Sequence, residues 1–597
     1  MTTKDDESAA RLERLNANLA RLEQLSQRLV AALAVRKPAD PSLHGPSQDV
    51  YMKAAAAYVA EMMQNPGKVL EHQVGYWGKT LKHYVEAQHR LAQGQLTPPP
   101  DPTPKDRRFS NPLWDTHPFF NFLKQQYLMN AEAVTQAVSG LDRLDPADRK
   151  RVDYFVRQIV DMFSPTNFLG TNPEALERAV QTDGESLVRG LENLVRDIET
   201  NQGDLLVTLA DPTAFRVGEN LGTTPGGVVY RNEMFELIQY APTTDTVHRT
   251  PLLIFPPWIN KFYILDLKPQ NSLIKWIVDQ GFTLFVVSWV NPDAGYRDKG
   301  MDDYIRDGFL RAMAEVRRIT GEKQINCVGY CIAGTTLALT LAYLQKAGDK
   351  SVKAATFFTT LTDFSDQGEM GVFLNDDFVD GIERQVAVDG VLDKLFMGRT
   401  FSFLRSNDLI WQPAIKSYML GEAPPAFDLL YWNGDGTNLP AKMSVEYLRG
   451  LCQRDEFAKG TFPVLGHPVR ISDVQLPVCA VACETDHIAA WRSSFNGIRQ
   501  MASKDKTYIL SESGHIAGIV NPPSKGKYGH WLNDAPLTDP DTWKAQATFH
   551  PGSWWPVWGA WLAERSGARV KARVPGDSTN PVLAPAPGTY VVATPGP

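Results

Sequence analysis

The sequence has little of what marks a disulfide-bonded, nucleic-acid-binding or membrane-spanning protein. Its 597 residues include only five cysteines and no C-x-x-C pair, which argues against a disulfide framework and a structural zinc site. Lys and Arg number 61 against 68 Asp and Glu, so no basic excess for nucleic acid exists. No apolar run reaches the ~18 residues of a membrane span, and the N-terminus lacks a hydrophobic signal core. We expect a cytoplasmic protein with reduced thiols and no metal or redox cofactor.

The composition and length indicate a folded chain of several domains. Hydrophobic residues make up 43% and charged residues 22%, as in globular proteins and unlike disordered ones. A chain of this length exceeds one ordinary hydrophobic core, so two or three domains are expected.

The first 35 residues carry a leucine series at helical spacing. Its members alternate three and four residues apart, with Ser26 at one core position, and they are Leu12, Leu15, Leu19, Leu22 and Leu29, with Leu25 nearby. Residues 8–35 are either one amphipathic helix lying on its own protein or a short coiled-coil arm for a partner. The sequence leaves both interpretations open.

The pattern then changes once along the chain. Residues 36–210 have apolar side chains at helical spacing and no strand alternation, with a proline-rich connector at 96–104, so they predict a helical N-terminal domain. Beyond Phe215, short apolar runs alternate with helical stretches, which is typical of a parallel sheet buried on both faces. The predicted strands are 251–255, 283–289, 325–330, 355–360, 477–483 and 507–510.

The gap between the fourth and fifth predicted strands is too long for one crossover helix. We therefore predict an aromatic-rich cap or lid inserted at 362–470 into a catalytic core of 211–361 and 471–570. Residues 571–597, rich in Pro, Gly and Val, predict an extended tail. The fold class is α/β: an α/β-hydrolase core with an inserted cap, preceded by an all-α domain.

The segment INCVGYCIAGTTLALTLAYL carries the main chemical signal. An apolar strand runs into Gly329-Tyr330-Cys331-Ile332-Ala333-Gly334 and a helix follows at once, as in the nucleophile elbow G-x-S-x-G of α/β-hydrolases. Cysteine stands at the nucleophile position and alanine at the second glycine position. The N–H of Ile332, at the helix start, is expected to stabilise an oxyanion. Taken alone, the pattern also fits a structural turn with a buried cysteine.

The other members of a triad follow in the chain order nucleophile, acid, base. Asp486 comes directly after the strand at 477–483, and His515 follows the last predicted strand in a Gly-flanked loop. His487 is a rival base, favoured as a hydrogen-bonding or pocket-lining residue. Glu484 and Glu512 are rival acids, and both are better explained as solvated loop charges.

A second oxyanion donor is expected from the loop after the strand at 251–255. The sequence there is FPPWINKFYILDL, and the N–H of Ile259 is the candidate. Lys261 and Asp266 are either substrate contacts or members of structural ion pairs.

Cysteine suits an enzyme that must keep an acyl group activated. A thiolate that attacks an acyl-CoA exchanges one thioester for another, whereas serine would form an oxoester and lose that activation. A free cysteine thiol, with a pKa of about 8.5, needs a base to form the thiolate at neutral pH, and His515 is the candidate base for Cys331.

These motifs make the sequence resemble the poly(3-hydroxyalkanoate) synthases over residues 50–565. The matching segments are GYCIAGT, ETDHIAAW, SESGHIAGIVNPP, FPPWINKFYILDL, RSNDLIW, YWNGDGTNLP, DRRFSNPLW and PGSWW. The resemblance implies Cys331 as the acylated nucleophile, His515 as base and Asp486 as the third member, or as a helper in deprotonating the incoming hydroxyl. Family members commonly have two glycines where this chain has Ala333-Gly334. Length and the helical domain resemble the single-subunit class I enzymes, which use short-chain substrates.

The resemblance also implies further site residues and partners. Possible substrate-lining residues are Asn260, Asp266, Arg405, Trp432 and His487. The expected substrate is (R)-3-hydroxyacyl-CoA, such as 3-hydroxybutyryl-CoA, with CoA as leaving group. The expected state is a homodimer on the surface of cytoplasmic polyester granules. The alternatives are a cysteine thioesterase or depolymerase of the same fold and a non-catalytic granule scaffold.

Overall fold

The N-terminal part of the chain is helical, as its periodicity predicts. The structure, a computed structural model, describes residues 4–35, 43, 48–64, 74–82, 84–85, 106–139, 141 and 144–594, and within them the first strand begins at Gly226. The predicted connector at 96–104 lies outside the described residues. The helices are α1 (Lys4–Ala34), α2 (Gln48–Gln64), α3 (Leu113–Thr116), α4 (Pro118–Ser139), α5 (Pro146–Met162), α6 (Pro173–Gln181), α7 (Glu185–Thr200), α8 (Leu273–Asp279), α9 (Met301–Asp303), α10 (Arg311–Thr320), α11 (Ile332–Lys346), α12 (Asp376–Asp389), α13 (Lys394–Leu404), α14 (Gln412–Ala414), α15 (Asp428–Gly434), α16 (Ala441–Val445), α17 (Glu456–Lys459), α18 (Trp491–Gln500), α19 (Pro540–Ala545) and α20 (Trp555–Glu564).

The rest of the chain builds the sheets. The strands are β1 (Gly226–Arg231), β2 (Phe235–Tyr240), β3 (Thr246–His248), β4 (Leu252–Phe255), β5 (Leu284–Trp289), β6 (Ile325–Tyr330), β7 (Val352–Phe358), β8 (Val391–Leu392), β9 (Leu439–Pro440), β10 (Phe462–Val464), β11 (His467–Val469), β12 (Val478–Cys483), β13 (Lys506–Ser511), β14 (His530–Leu532), β15 (Thr548–His550), β16 (Arg569–Lys571) and β17 (Ala584–Pro585). The main sheet has eleven strands in the order β15-β14-β13-β12-β7-β6-β4-β5-β2-β1-β17.

All six strands predicted from the sequence form the centre of this sheet. From β5 through β4, β6, β7 and β12 to β13, each strand pairs in parallel with its neighbour. Every residue of β4, β5, β6 and β12 is buried, because helices must cover both faces of a parallel sheet. The predicted α/β fold is therefore confirmed. The antiparallel strands β1, β2, β14 and β15 extend the sheet on its two sides.

The chain divides into two compact units. The first consists of Met1–Asp211 and Arg399–Pro425, and the second of Pro212–Gly398 and Ala426–Pro597. The candidate triad residues Cys331, Asp486 and His515 all lie in the second unit. The other predicted domain boundaries, including the cap at 362–470, stay predictions.

In the first unit, α1 packs against α7. Leu25 of α1 is buried with Val188 and Val195 of α7. Arg21 of α1 forms an ion pair with Glu185 of α7, with 3.0 Å between the paired atoms. This part of the leucine series lies on its own protein, whereas the side chains of Leu12, Leu15 and Leu19 lie outside the described residues.

Residues 399–425, from the middle of the predicted cap, belong to this first unit. Ile415 packs in a small buried cluster with Ala175 of α6. The hydroxyl of Tyr418 donates to Oδ2 of Asp197 at 2.8 Å. The segment is thus held in the helical unit by both apolar and polar contacts.

The predicted tail at 571–597 is docked on the second unit, in its described part up to residue 594. Strand β17 pairs with β1 and extends the sheet by one strand. The buried carboxylate of Glu236 accepts the N–H groups of Thr589 and Tyr590 at 2.8 and 2.9 Å. These hydrogen bonds satisfy a buried charge. The pairing of β17 covers the edge of the sheet at β1.

Candidate active site

Cys331 occupies a sharp turn between β6 and α11. Its backbone φ is +54° and ψ is −124°, a left-handed conformation that non-glycine residues rarely adopt and that often marks functional sites. Its N–H donates to the carbonyl of Phe358 on the neighbouring strand at 2.8 Å. Its side chain is partly exposed, whereas the other four cysteines are buried.

Two glycines let the strand and the helix cross closely at this turn. A Cβ on Gly329 would lie 2.5 Å from Cα of Gly334, and a Cβ on Gly334 would clash with the side chain of Thr360. Ala333 is fully buried in the first turn of α11. Gly334, one residue after the usual position, therefore provides the close approach, which explains how the turn accommodates alanine at 333.

His515 and Asp486 are brought together at the ends of β12 and β13. Nδ1 of His515 lies 2.7 Å from Oδ2 of Asp486, and both side chains are buried. Oδ1 of Asp486 accepts the N–H groups of Ile488 and Ala489, each at 2.8 Å. The carboxylate is thus fixed from both sides and orients the imidazole.

The loop that carries His515 is fixed by aromatic donors. The hydroxyl of Tyr330 donates to the carbonyl of His515 at 3.3 Å. The indoles of Trp554 and Trp555 donate to the carbonyls of Gly518 and Ile519 at 2.7 and 2.9 Å. The PGSWW segment therefore has a structural function, which is to hold this loop.

The site favours a protonated imidazole. Burial by itself lowers the pKa of His515, but the charges of Asp486 and of an ionised Cys331, with hydrogen bonds to both, raise that pKa well above its usual value. A high histidine pKa favours transfer of the thiol proton from Cys331. The arrangement can generate a thiolate–imidazolium pair.

Two backbone N–H groups are candidates for an oxyanion hole. Ile332 is the first residue of α11, so its N–H has no acceptor within the helix. Ile259 lies in the loop after β4, and its carbonyl accepts the N–H of Thr437 at 3.2 Å. The role of either N–H stays a prediction.

The loop after β4 is fastened to the segment YWNGDGTN. Asn260 forms an antiparallel bridge with Gly436, and the indole of Trp432 donates to the carbonyl of Lys261 at 2.7 Å. The ammonium of Lys261 pairs with Asp435 at 2.8 Å. Lys261 thus belongs to a structural ion pair, one of its two sequence interpretations. Trp432 is buried and holds the loop in place.

Asp266 lies buried in the loop after β4, where its carboxylate is hydrogen-bonded within the protein. Its carboxylate is buried and accepts the hydroxyls of Thr224 and Ser272, both at 2.6 Å, and the N–H of Thr224 at 3.1 Å. Burial raises the pKa of Asp266, although these hydrogen bonds oppose the shift. The residue ties the loop after β4 to the chain before β1.

The remaining predicted lining residues stay predictions. Arg405 belongs to the first unit, where its carbonyl accepts the N–H of Leu409 at 2.9 Å. His487 is half-buried beside Asp486.

Sequence reasoning missed Tyr447, which follows α16. Its ring lies edge-on to Trp258, with 5.7 Å between ring centroids, and Trp258 precedes the oxyanion candidate Ile259. The charge of an ionised Cys331 also acts on its hydroxyl. No motif in the sequence marks this tyrosine.

The described part of the chain contains neither a cluster of metal-ligating side chains nor a membrane-spanning helix. Among the described residues, no group of three or more His, Cys, Asp or Glu side chains could hold a metal ion. None of the described helices is long and apolar enough to cross a membrane.

Two family models match the chain. The "Poly-beta-hydroxybutyrate polymerase (PhaC) N-terminus" model matches residues 105–277, and the "alpha/beta hydrolase fold" model matches residues 251–522.

Curated relatives match over most of the chain. A poly(3-hydroxyalkanoate) polymerase of Methylorubrum extorquens is 40% identical over 99% of both chains. The polymerase subunit of Rhizobium etli is 39% identical over 97% of this chain and 92% of its own. That of Cupriavidus necator is 41% identical over 82% of this chain and 83% of its own.

Proposed function

The chain belongs to the poly(3-hydroxyalkanoate) polymerase family, and from this premise we propose that it grows the polyester on Cys331, assisted by His515 and Asp486. It is an acyltransferase that synthesises poly(3-hydroxyalkanoate). The observation that carries the residue assignment is the 2.7 Å contact between Nδ1 of His515 and Oδ2 of Asp486, together with the positive-φ turn that places Cys331 at the start of α11.

The first step is acylation of the cysteine. The thiol proton of Cys331 moves to Nε2 of His515, and the thiolate attacks the carbonyl carbon of (R)-3-hydroxyacyl-CoA. The bond between that carbon and the CoA sulfur breaks, and the imidazolium returns the proton to the leaving CoA thiolate. The N–H groups of Ile332 and Ile259 are the proposed donors to the oxyanion.

The second step is transfer of the acyl group to a hydroxyl. His515 takes the proton of the 3-hydroxyl of another acyl unit, whose oxygen attacks the thioester carbon and displaces the Cys331 sulfur. Asp486 holds the proton on Nδ1, so that Nε2 faces the reacting atoms. The product ester is less activated than the thioester, which drives chain growth.

We propose short-chain (R)-3-hydroxyacyl-CoA, such as 3-hydroxybutyryl-CoA, as the substrate. The match of residues 105–277 to the poly-beta-hydroxybutyrate polymerase model supports this chain length. No resident cofactor is part of the proposal, since CoA arrives with the substrate.

The proposal is tested by incubating the chain with 3-hydroxybutyryl-CoA while thiol release and turbidity are followed together. CoA release with polymer supports it, whereas CoA release into a clear solution supports a thioesterase. The absence of both CoA release and polymer supports a non-catalytic scaffold. Cys331→Ala should abolish both signals, and Cys479→Ala, at a buried cysteine of β12, is the matched control that should retain both.

Association with granules and with a second copy completes the proposal. The first unit exposes large apolar side chains, among them Trp77, Phe163 and Phe168, which supports contact with a polyester surface. The proposed homodimer is tested by light scattering. Partner binding through residues 8–35 is tested by deleting them, and unchanged self-association and granule attachment would exclude that role.

A further inference from the structure

Tyr447 and Cys452 lie on an unusual stretch of helix. Residues Glu446–Gln453 form a π-helix, a rare conformation whose hydrogen bonds join residues five apart and which occurs often at functional sites. Because Tyr447 and Cys452 are five residues apart, the π-helix brings their side chains to one side. An α-helix at this position would turn them apart.

The ring of Tyr447 is held between two aromatic side chains. The centroid distances are 5.7 Å to Trp258 and 6.0 Å to Phe364, and both contacts are edge-to-face. Trp258 is itself fixed, since its indole donates to the hydroxyl of Thr336 on α11 at 3.1 Å. Helix α11 is the one that begins beside Cys331. The position of the Tyr447 hydroxyl is therefore tied to the helix of the nucleophile.

The Tyr447 hydroxyl is a neutral donor on a ring that packs against Trp258, whose indole is hydrogen-bonded to α11. Burial raises the pKa of Tyr447 well above its usual value, and the charges of ionised Cys452 and Cys331 raise it further. The thiol of Cys452, five residues further along the π-helix, lies on the same side, and thiols are weak hydrogen-bond partners. Little is lost when this hydroxyl exchanges the thiol for a better acceptor.

Resting on the proposed function, we propose that the Tyr447 hydroxyl recognises the 3-hydroxyl of the acyl group delivered to Cys331. Apart from its thioester, a 3-hydroxyacyl group has this one polar atom, and the rings in contact with Tyr447 are those of Trp258 and Phe364. An oxygen is a stronger partner than the Cys452 thiol. An acyl group that lacks this oxygen leaves Tyr447 with the weak thiol partner only.

The experiment compares two ligands in a chain that cannot react. In the Cys331→Ala background, the dissociation constants of (R)-3-hydroxybutyryl-CoA and butyryl-CoA are measured by calorimetry. The hydroxylated ligand is expected to bind about tenfold more tightly, the usual effect of one hydrogen bond in a protein. Adding Tyr447→Phe, which keeps the ring and removes the hydroxyl, should abolish this preference by weakening only the hydroxylated ligand.

Tyr304→Phe is the matched control. Tyr304 packs on the same Trp258, with 5.5 Å between centroids, and it also lies in a π-helical segment, Tyr304–Leu310. This control should retain the tenfold preference. Persistence of the preference in Tyr447→Phe, or equal weakening of both ligands, would overturn the inference.

The failure of this inference is distinguishable from that of the proposed function. If the parent chain releases CoA and forms polymer while Tyr447→Phe retains the ligand preference, only the inference fails. If the parent chain with Cys331 intact releases no CoA from 3-hydroxybutyryl-CoA, the proposed function fails first.

Discussion

Asp486→Asn is expected to block acylation of Cys331 by changing which imidazole nitrogen carries the proton. Oδ1 of Asp486 accepts two backbone N–H groups, from Ile488 and Ala489. In the asparagine variant these donors select the amide oxygen, so the amide NH2 faces His515. It then donates to Nδ1 and leaves the imidazole proton on Nε2, which can no longer accept the thiol proton.

The expected loss is smaller than in a serine enzyme. The same substitution in the serine-protease triad costs about 10⁴ in rate. A thiol, with a pKa of about 8.5, needs less help from a base than a hydroxyl. We therefore expect the rate of CoA release to fall about 10² to 10³-fold, with the fold intact because asparagine is nearly isosteric.

The assay is rapid-quench measurement of CoA release and acyl-enzyme in a single turnover. A slow burst in Asp486→Asn supports the orienting role. A normal burst followed by failed elongation would refute the reasoning, because Asp486 would then act mainly on the incoming hydroxyl. Asp266→Asn, a buried aspartate outside the triad, controls for general effects of losing a buried carboxylate.

The free energy of unfolding, measured as a function of pH, tests the interaction between His515 and Asp486 independently. His515 has a folded pKa raised above its unfolded value of about 6.5, so its contribution to stability is fully present below that pH. The contribution is lost as pH rises through the folded pKa. Because Asp486→Asn removes the carboxylate charge, its stability should be closest to that of the parent at high pH. A stability difference that grows with pH would contradict the ion pair.

Three further predictions test the remaining assignments. Cys331→Ser should fold normally but sustain no polymer growth, and turbidity near the parent rate would exclude Cys331 as acyl carrier. Gly334→Ala should lower the free energy of unfolding by about 1–3 kcal/mol, because the added Cβ clashes with Thr360. Ala333→Gly should change it by no more than about 1 kcal/mol. Equal denaturant midpoints for the two variants would contradict the close approach of β6 and α11 at Gly334. Leu25→Ala should destabilise the first unit by about 2–4 kcal/mol in calorimetry, and no change would show that the packing of α1 on α7 contributes little.

The sheet was predictable because its central strands are buried on both faces. Such strands appear as near-continuous apolar runs, and all six predicted runs form strands. Strand β2, FELIQY, was not predicted because it contains Glu236. That buried charge is satisfied by Arg231 of the paired strand β1 and by the N–H groups of Thr589 and Tyr590, over 350 residues away. Local sequence carries no sign of such a distant partner.

Some residues of the candidate site were predictable from the sequence and others were not. Cys331, Asp486 and His515 follow strands whose order along the chain predicts which loops meet at one edge of the sheet. Asp266 sits in an equally suggestive motif, but its partners Thr224 and Ser272 make it structural. The structural role of Asp266 became clear only from its hydrogen bonds in the folded chain.

The proposed contact between Tyr447 and the substrate could not be predicted from the order of the strands. The triad members lie at strand ends, where parallel pairing fixes their relation to within a residue. Tyr447 and Cys452 meet because one helix adopts π geometry, which displaces later residues by a fraction of a turn. A single-residue change in that helix would alter which of its side chains lie on the same side as Tyr447 without disturbing the sheet. With the proposed recognition by Tyr447, we expect substrate preference to change through the π-helix while the chemistry proposed at the strand ends stays constant.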